Sequence, residues 1–585
     1  MTSPIHQGLA LHQAGKLREA EQVYRDILSR NPNDSDALHL LGVIATQSHQ
    51  LAPALRLIES AIRIRPDVAF YHNNLGNIYR MTGELGAAEM SYRRALQLNP
   101  GYVDPQANLG MVLREQARFD EALAAYERAV QIQPSLADAY SSMGTVLMDQ
   151  GRIDEALTAY RRAIELDPAD VGAHSNLVYV MHNSEKISRE ELFAEHRRWG
   201  ARHAAPLANA TTAHKNDRTP ERKLRVGYVS PDFRDHPVAR FLWPMVENRN
   251  RSEFEVVCFS CVQKPDPVTA RYRGRVDEWH DVAHLNDDEL VELIRVRQID
   301  ILVDLAGHTD GSRLLVFARR PAPIQITFLG YPDTVGMEAI DLRITDALAD
   351  PAPESDMRHV EKLARVDGCF LCYPLADDLP SVQPPPAEAA GYVTFGSFNN
   401  LAKISPTTVR LWSDVLAAIS GSKLFVKTTR FGDEPTRVRA AKRFADLGLP
   451  MNRVELVGPE RSQEGHLQQY RRIDIGLDTF PYNGTTTTCE ALAMGVPVVS
   501  MCGDHHASRV GLSILTAAGH RDWATSSPEE FIETAAALAS DMARLATLRA
   551  AMRKELRQSV LCAASSYASK IEQIYRDAWL RWCRG

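Results

Sequence analysis

Cysteine is scarce, with eight in 585 residues, which excludes a fold built on disulfides and points to reduced thiols in a cytoplasm. No apolar run is long enough to cross a bilayer. The opening stretch, MTSPIHQGLALHQAGK, lacks the apolar centre of a secretory signal. There is no GxGxxG and no Walker A sequence, which argues against a dehydrogenase or a P-loop NTPase. The only Asp-x-Asp is Asp34-Ser-Asp36, near the start of the chain. A net charge of -7 over this length gives no basis for binding nucleic acid or a membrane surface. Hydrophobic and charged fractions of 44% and 24% are those of an ordinary globular protein of several domains.

The cysteines that are present include two pairs with zinc-like spacing, Cys258/Cys261 in FEVVCFSC and Cys369/Cys372 in GCFLCYP. Bulky apolar residues separate them and no His partner is near, so they read as buried small side chains rather than ligands.

The first third repeats itself. Pro32, Pro66, Pro100, Pro134 and Pro168 fall at steps of 34, as do Gly8, Gly42, Gly76, Gly110 and Gly144. Ala20, Ala54, Ala88, Ala122 and Ala156 keep the same step, and Tyr24, Tyr92, Tyr126 and Tyr160 share another register in which Ile58 fills the gap. This is the tetratricopeptide pattern of two helices per repeat, small residues where helices cross, an aromatic knob and a closing Pro. Such repeats stack into a superhelix with a long groove suited to extended peptides. Two residues before the repeat Gly stand Leu40, Asn74, Asn108 and Ser142, with Asn176 at the matching position of the last repeat. An Asn amide there could pair with both the N–H and the C=O of a bound peptide, or simply face solvent.

The repeats are expected over 1–185 and a helical linker over 186–222, with ISREELFAEHRRWGARHA as a last helix and a polar stretch after it. Then the period changes. LRVGYVS, FEVVCFS, IDILVDLAG, IQITFLGY and LRITD alternate with helical stretches over 223–375. A Pro-rich linker at 376–390 precedes a second series, GYVTFGSFN, KLFVKTT, RVELVG, IDIGLDTF and PVVSMCG, over 391–565, and 566–585 reads as an amphipathic helix packing back on the body. Strands alternating with helices imply parallel sheets. Two series imply two doubly wound domains facing across a cleft, with ligands at the carboxyl ends of strands.

One junction in the second series is distinctive. In LDTFPYNGTTTTCEAL the strand ends at Pro481, Asn483-Gly484 turns the chain, and Thr485–Thr488 open a helix. Free amides and the positive end of a dipole collect there, so the hydroxyls either cap the helix or help to hold an anion, most often a phosphate. Lys403, in FGSFNNLAKISP, lies just after another strand end and can reach the same place.

LRVGYVSPDFRDHPVARFL, RRPAPIQITFLGYPDTVG, FGSFNNLAKISP and LDTFPYNGTTTTCEALAMGVPVVS resemble the O-GlcNAc transferase family in a bacterial form, and the likeness covers nearly the whole chain. It implies a repeat superhelix followed by a GT-B fold. It also implies UDP-GlcNAc as donor, no metal or other cofactor, and inverting transfer to Ser or Thr of protein acceptors recruited by the repeats. By the same resemblance Lys403 meets the UDP diphosphate, Asn400 contacts the nucleotide, and Thr486 and Thr487 bind phosphate. Glu490 holds the ribose and His466 lies beside the uracil. Arg461 belongs with the UDP-binding set, while His236 and His280 are active-site histidines and His236 is a candidate base. The sequence departs from the animal members at Thr485, which replaces a His, and at Gln463 and Gln469, which replace Lys and Arg. A different sugar or acceptor, a repeat scaffold with a decayed catalytic half, and a homodimer stay open at this stage.

Overall fold

A computed structural model describes residues 3–210 and 214–584; residues 211–213, inside the expected polar linker, lie outside it. The chain forms two compact units, one running to Asp149 and including Glu165–Asp167, the other comprising Gln150–Ile164 and everything from Pro168 onward.

The first unit is a stack of antiparallel helix pairs, from Pro4–Gln13 with Leu17–Arg30 to Val103–Glu115 with Phe119–Ile132. The repeat glycines explain the spacing. A Cβ at Gly8 would stand 2.4 Å from the Tyr24 ring, one at Gly42 2.6 Å from Ile58, and one at Gly76 2.5 Å from Tyr92. Each knob therefore fills the notch that its own repeat leaves, and Tyr24, Ile58 and Tyr92 are fully buried. The expected helix after the repeats is Arg189–Trp199, opened by a reciprocal Ser188/Glu191 capping box.

The second unit holds two parallel sheets. The first has seven strands: β1 (Leu224–Ser230), β2 (Phe254–Ser260), β3 (Glu278–Asp281), β4 (Ile301–Asp304), β5 (Ile324–Thr327), β6 (Leu342–Asp346) and β7 (Lys362–Val366), in the order 3-2-1-4-5-6-7. The second has six: β8 (Thr394–Ser397), β9 (Lys423–Lys427), β10 (Val454–Val457), β11 (Ile475–Leu477), β12 (Val498–Met501) and β13 (Ala524–Thr525), in the order 10-9-8-11-12-13. In both sheets the order reverses beside the first strand, at β1/β4 and β8/β11. Those are the points at which doubly wound sheets bind ligands. The closing helix, Ala564–Arg584, buries Tyr567, Ile571, Tyr575 and Trp579 against the first sheet, although it follows the second in sequence. Two parallel sheets after a helical repeat region make this a GT-B architecture.

All ten strand segments expected from the sequence are present. β3, β7 and β13 were not expected: each closes a sheet edge or, like β7, alternates too little to announce itself. Among the described residues all four cysteines of the zinc-like pairs are free and buried, and burial pushes the Cys261 thiol up to about 11 and that of Cys372 to about 12.

Candidate active site

The site begins beneath β11. Asp478, buried at the strand end, accepts from the amides of Thr479 at 2.8 Å and Gly484 at 2.7 Å, from Asn399 Nδ2 at 3.1 Å and from Ser500 Oγ at 2.7 Å. The loop Asp478–Gly484 is thus wound around one carboxylate. Gly484 is required by close approach, since a Cβ there would sit 2.5 Å from Thr487 Oγ1. The chain then enters the helix Thr486–Ala493. Thr487 donates to Asn399 Oδ1 at 2.9 Å and Thr488 to the Gly484 carbonyl at 3.1 Å. Thr485 stands at the N-cap with no side-chain cap bond. The two inner threonines therefore build the turn, and the Thr485 side chain leaves the first-turn amides uncapped.

The second loop comes from β8. Asn400 caps the short turn Leu401–Lys403 through a 3.2 Å bond from the Ala402 amide, and its own side chain is exposed at the rim. Ser405 caps the following helix, Pro406–Ala418, and Thr408 on its first turn exchanges hydrogen bonds with the backbone of Phe480 at 2.8 and 2.9 Å. That stitch brings Lys403 over the threonine loop. Its Nζ donates to the Asn483 carbonyl at 2.9 Å and lies 3.8 Å from the Tyr482 ring centroid. Burial lowers its pKa to about 8, against the opposing pull of Asp478.

A third group gathers on the same helix. Glu490 is almost wholly buried, yet it accepts from His466 Nε2 at 3.0 Å, Gln463 Nε2 at 3.0 Å and Arg240 at 2.7 Å. Lys427, at the end of β9, lies 2.8 Å from His466 Nδ1. An ammonium can only donate, so Nδ1 accepts, and the ring proton sits on Nε2, facing Glu490. Burial opposes ionisation of Glu490, but the His466 bond and the Arg240 charge outweigh it and hold the carboxyl below its ordinary range. The structure brings Glu490, His466 and Gln463 together as expected. Gln469 is turned away and donates to Glu460 at 2.8 Å, and Arg461 is exposed on the loop before the helix Gln463–Gln468.

Across the cleft, His236 caps the helix Pro237–Asn248 and accepts from the Val238 amide through Nδ1 at 3.3 Å. His236, Arg240, Trp243, Tyr373, Gln463 and Leu467 line a cavity of about 710 Å³. Burial, with Arg234 and Arg240 nearby, lowers the His236 pKa to about 4. The ring is neutral near pH 7, and its Nδ1 faces both the Val238 amide and, at 3.4 Å, Asp232 Oδ1. A ring held this low is a weak proton acceptor, so the surroundings fit a positioning role better than the expected base. His280 stands apart on β3, stacked on Phe259 at 5.4 Å and bonded to Glu278 at 3.2 Å.

In the first unit Asn74 is bonded to His39 at 2.8 Å, and Asn108 donates to Asn73 at 3.1 Å and Asn77 at 3.2 Å. Neighbouring repeats thus share a run of partly buried amides. Asn176 lies in the helix Val171–Met181 of the second unit. Among the described residues one group has metal-ligand spacing, His182, His196 and Asp333, with ligand atoms within 4.8 Å of one another. Tyr331 already occupies it, bonding His182 at 3.0 Å and His196 at 2.6 Å.

Sequence reasoning missed Arg240, Lys427 and Asp478. Arg240 acts across a cleft, and Lys427 acts through His466. Asp478 lies within LDTFPYNGTTTTCEAL, where a lone carboxylate at a strand end was the available signal.

The model of glycosyl transferase family 41 matches residues 167–378 and 386–571, and tetratricopeptide models match 11–75, 69–102, 110–151 and 144–184. A probable UDP-N-acetylglucosamine–peptide N-acetylglucosaminyltransferase SPINDLY from Solanum lycopersicum is 42% identical over 400 residues, covering 68% of this chain and 43% of that protein. A probable transferase of the same description, SEC from Arabidopsis thaliana, is 28% identical over 376 residues, 62% of this chain and 38% of its own length. The chain spans under half the length of these plant relatives. An O-GlcNAc transferase mutant from Thermobaculum terrenum superposes with a TM-score of 0.83 at 35% identity, over 88% of this chain and 98% of that one. No described helix is long and apolar enough to cross a membrane. With most of its length matched by that family model and two parallel sheets as expected, the chain belongs to glycosyl transferase family 41.

Proposed function

We propose that the protein transfers GlcNAc from UDP-GlcNAc to Ser or Thr side chains of proteins, with inversion at the anomeric carbon. One observation carries this reading: a partly buried ammonium, Lys403, and the open N-terminus of the helix Thr486–Ala493 converge at the carboxyl ends of β8 and β11. Such a place suits a diphosphate leaving group. The acceptor hydroxyl attacks the anomeric carbon, the bond to the β-phosphate oxygen breaks, and the growing charge falls on Lys403 and the amides of Thr486 and Thr487. His236 positions the sugar through its N–H, and the acceptor proton passes to a phosphate oxygen of the donor. His466 and Glu490 hold the nucleoside, and Asn400 and Thr485 border it; Gln463, Gln469 and Arg461 stand at its rim.

The test offers UDP-GlcNAc, other UDP-sugars and GDP-sugars one at a time, with and without a Ser/Thr peptide, and measures nucleotide release. Peptide-dependent release of UDP from UDP-GlcNAc is expected, and release only from another sugar nucleotide overturns the donor assignment. The departures at Thr485, Gln463 and Gln469 favour that second reading. The protein supplies the cations around the diphosphate, so initial rates should survive a brief excess of chelator. A loss restored by magnesium or manganese would refute this part.

The repeats are proposed to receive the acceptor backbone, with Asn74 and Asn108 as contacts and Asn176 at the same repeat register. Their amides are already partly engaged, so a peptide exchanges hydrogen bonds rather than adding them. Replacing Asn74 and Asn108 with Ala should raise KM for a long protein acceptor by roughly five- to tenfold, about one net hydrogen bond, and leave UDP affinity unchanged. Equal kinetics on the long acceptor would count against the assignment.

A further inference from the structure

Arg240 comes from the first sheet domain, yet its guanidinium ends on Glu490 of the second, 2.7 Å from Oε1. Around Glu490 the donors can be counted. Oε1 receives Arg240 and Gln463; Oε2 receives His466 and, at 3.5 Å, the Tyr470 hydroxyl. The other nitrogen of His466 faces Lys427 at 2.8 Å. Arg240 is the contact that reaches this carboxylate from the other sheet, and its guanidinium carries a charge at every ordinary pH. Side-chain exposure is 4% for Glu490 and 25% for Arg240, so the pair is shielded enough for its charge to matter.

We propose that Arg240 is a positioning residue of the nucleotide site that holds Glu490 aimed at the ribose hydroxyls of the donor. The inference rests on the donor reading above. Of the groups on Oε1, Gln463 is the neutral one and lies at the exposed mouth of the cleft. A ribose O–H takes the place of its amide, while Arg240 stays on the other lone pair. The carboxylate then accepts from a sugar hydroxyl, from Arg240 and from His466 together, three of its four acceptor sites. Because Arg240 and Glu490 belong to different sheets, the same contact couples closure of the cleft to the presence of a ribose. With a 2′- or 3′-deoxy nucleotide the Gln463 amide keeps its place on Oε1, and the bond from the sugar hydroxyl to the carboxylate is lost.

The experiment is calorimetric titration of the full chain with UDP, 2′-deoxy-UDP and 3′-deoxy-UDP, for the wild type, R240A and R240K. The wild type should prefer UDP over at least one deoxy form by about tenfold or more, the worth of a hydrogen bond to a charged group. In R240A that preference should collapse toward unity, and R240K should restore part of it. A variant that loses affinity for all three equally, or keeps the wild-type preference, shows that Arg240 is merely structural and overturns the inference. A wild type that binds UDP but ignores the deoxy change overturns it as well. A wild type that binds none of the three fails the donor reading itself, which is a distinguishable result.

Discussion

Lys403→Ala should lower kcat by about a hundred- to a thousandfold, the usual cost of removing one preorganised contact to developing charge. The affinity for UDP should fall by less. Bound UDP already carries diphosphate charge, so some ground-state binding goes with the ammonium. As the glycosidic bond breaks, however, the charge on the leaving phosphate increases, and only an interaction that grows with it slows a saturated enzyme. Turnover at saturation and the UDP dissociation constant, measured side by side, separate the two. A variant that binds UDP much more weakly yet turns over normally would make Lys403 a binding residue alone.

The same residue predicts a pH dependence. Burial lowers the Lys403 pKa to about 8, so in the empty site the ammonium is present below that pH and is lost above it. UDP affinity should decline as pH rises through about 8, and Lys403→Met should remove that limb. Stability moves the other way. The folded pKa lies below the ordinary value of 10.5, so between about pH 8 and 10.5 the unfolded chain binds more protons and stability rises with pH. Lys403→Met should also flatten that rise. A charged buried ammonium is thus a cost that the empty fold carries and that an anionic ligand relieves.

The chain made local features legible and concealed those that act at a distance. The 34-residue step could be read because each knob fills a notch in its own repeat; Tyr92 lies 16 positions after Gly76, and the pair is a single contact. The threonine junction was readable because strand, turn and helix follow within a dozen residues. Of the two roles open to the hydroxyls there, Thr485 makes no side-chain cap bond, and Thr487 and Thr488 turn inward to build the loop. Lys403 was placed correctly relative to a strand end, but the stitch from Thr408 to Phe480 that carries it over the loop joins residues 72 positions apart. Arg240 and Glu490 are separated by 250 positions and by a whole sheet. No local period connects such a pair; only the folding of two domains toward one cleft does. The capping role of His236 was equally hidden, because it depends on an amide in the turn that follows it.

Trp579→Ala should cost about 3–5 kcal/mol of folding stability, as for other fully buried large aromatics. Trp579 lies on the last helix, whose buried residues Tyr567, Ile571, Tyr575, Ala578 and Trp579 recur at helical spacing and complete the core of the first sheet. It is fully buried, its Nε1 donates to the Thr219 carbonyl at 3.3 Å, and the Arg222 guanidinium lies 4.5 Å over its ring. Arg222 in turn grips Asp300, which is wholly buried and receives the Arg225 amide at 2.8 Å at the start of β1. Removing the indole opens a cavity and also frees the cation that holds this carboxylate, so the loss should exceed that from Trp582→Ala, whose ring is only partly buried. Domains of this size resist two-state analysis, so the readout is the shift in the first denaturant transition, paired with proteolytic cleavage between Asn216 and Lys223. The variant that survives in the cold should still bind UDP through Lys403 and the threonine helix, because both belong to the second sheet. An unchanged first transition would mean that the last helix merely covers the sheet. A coupled loss of UDP binding would mean instead that the two sheets fold as one cooperative body.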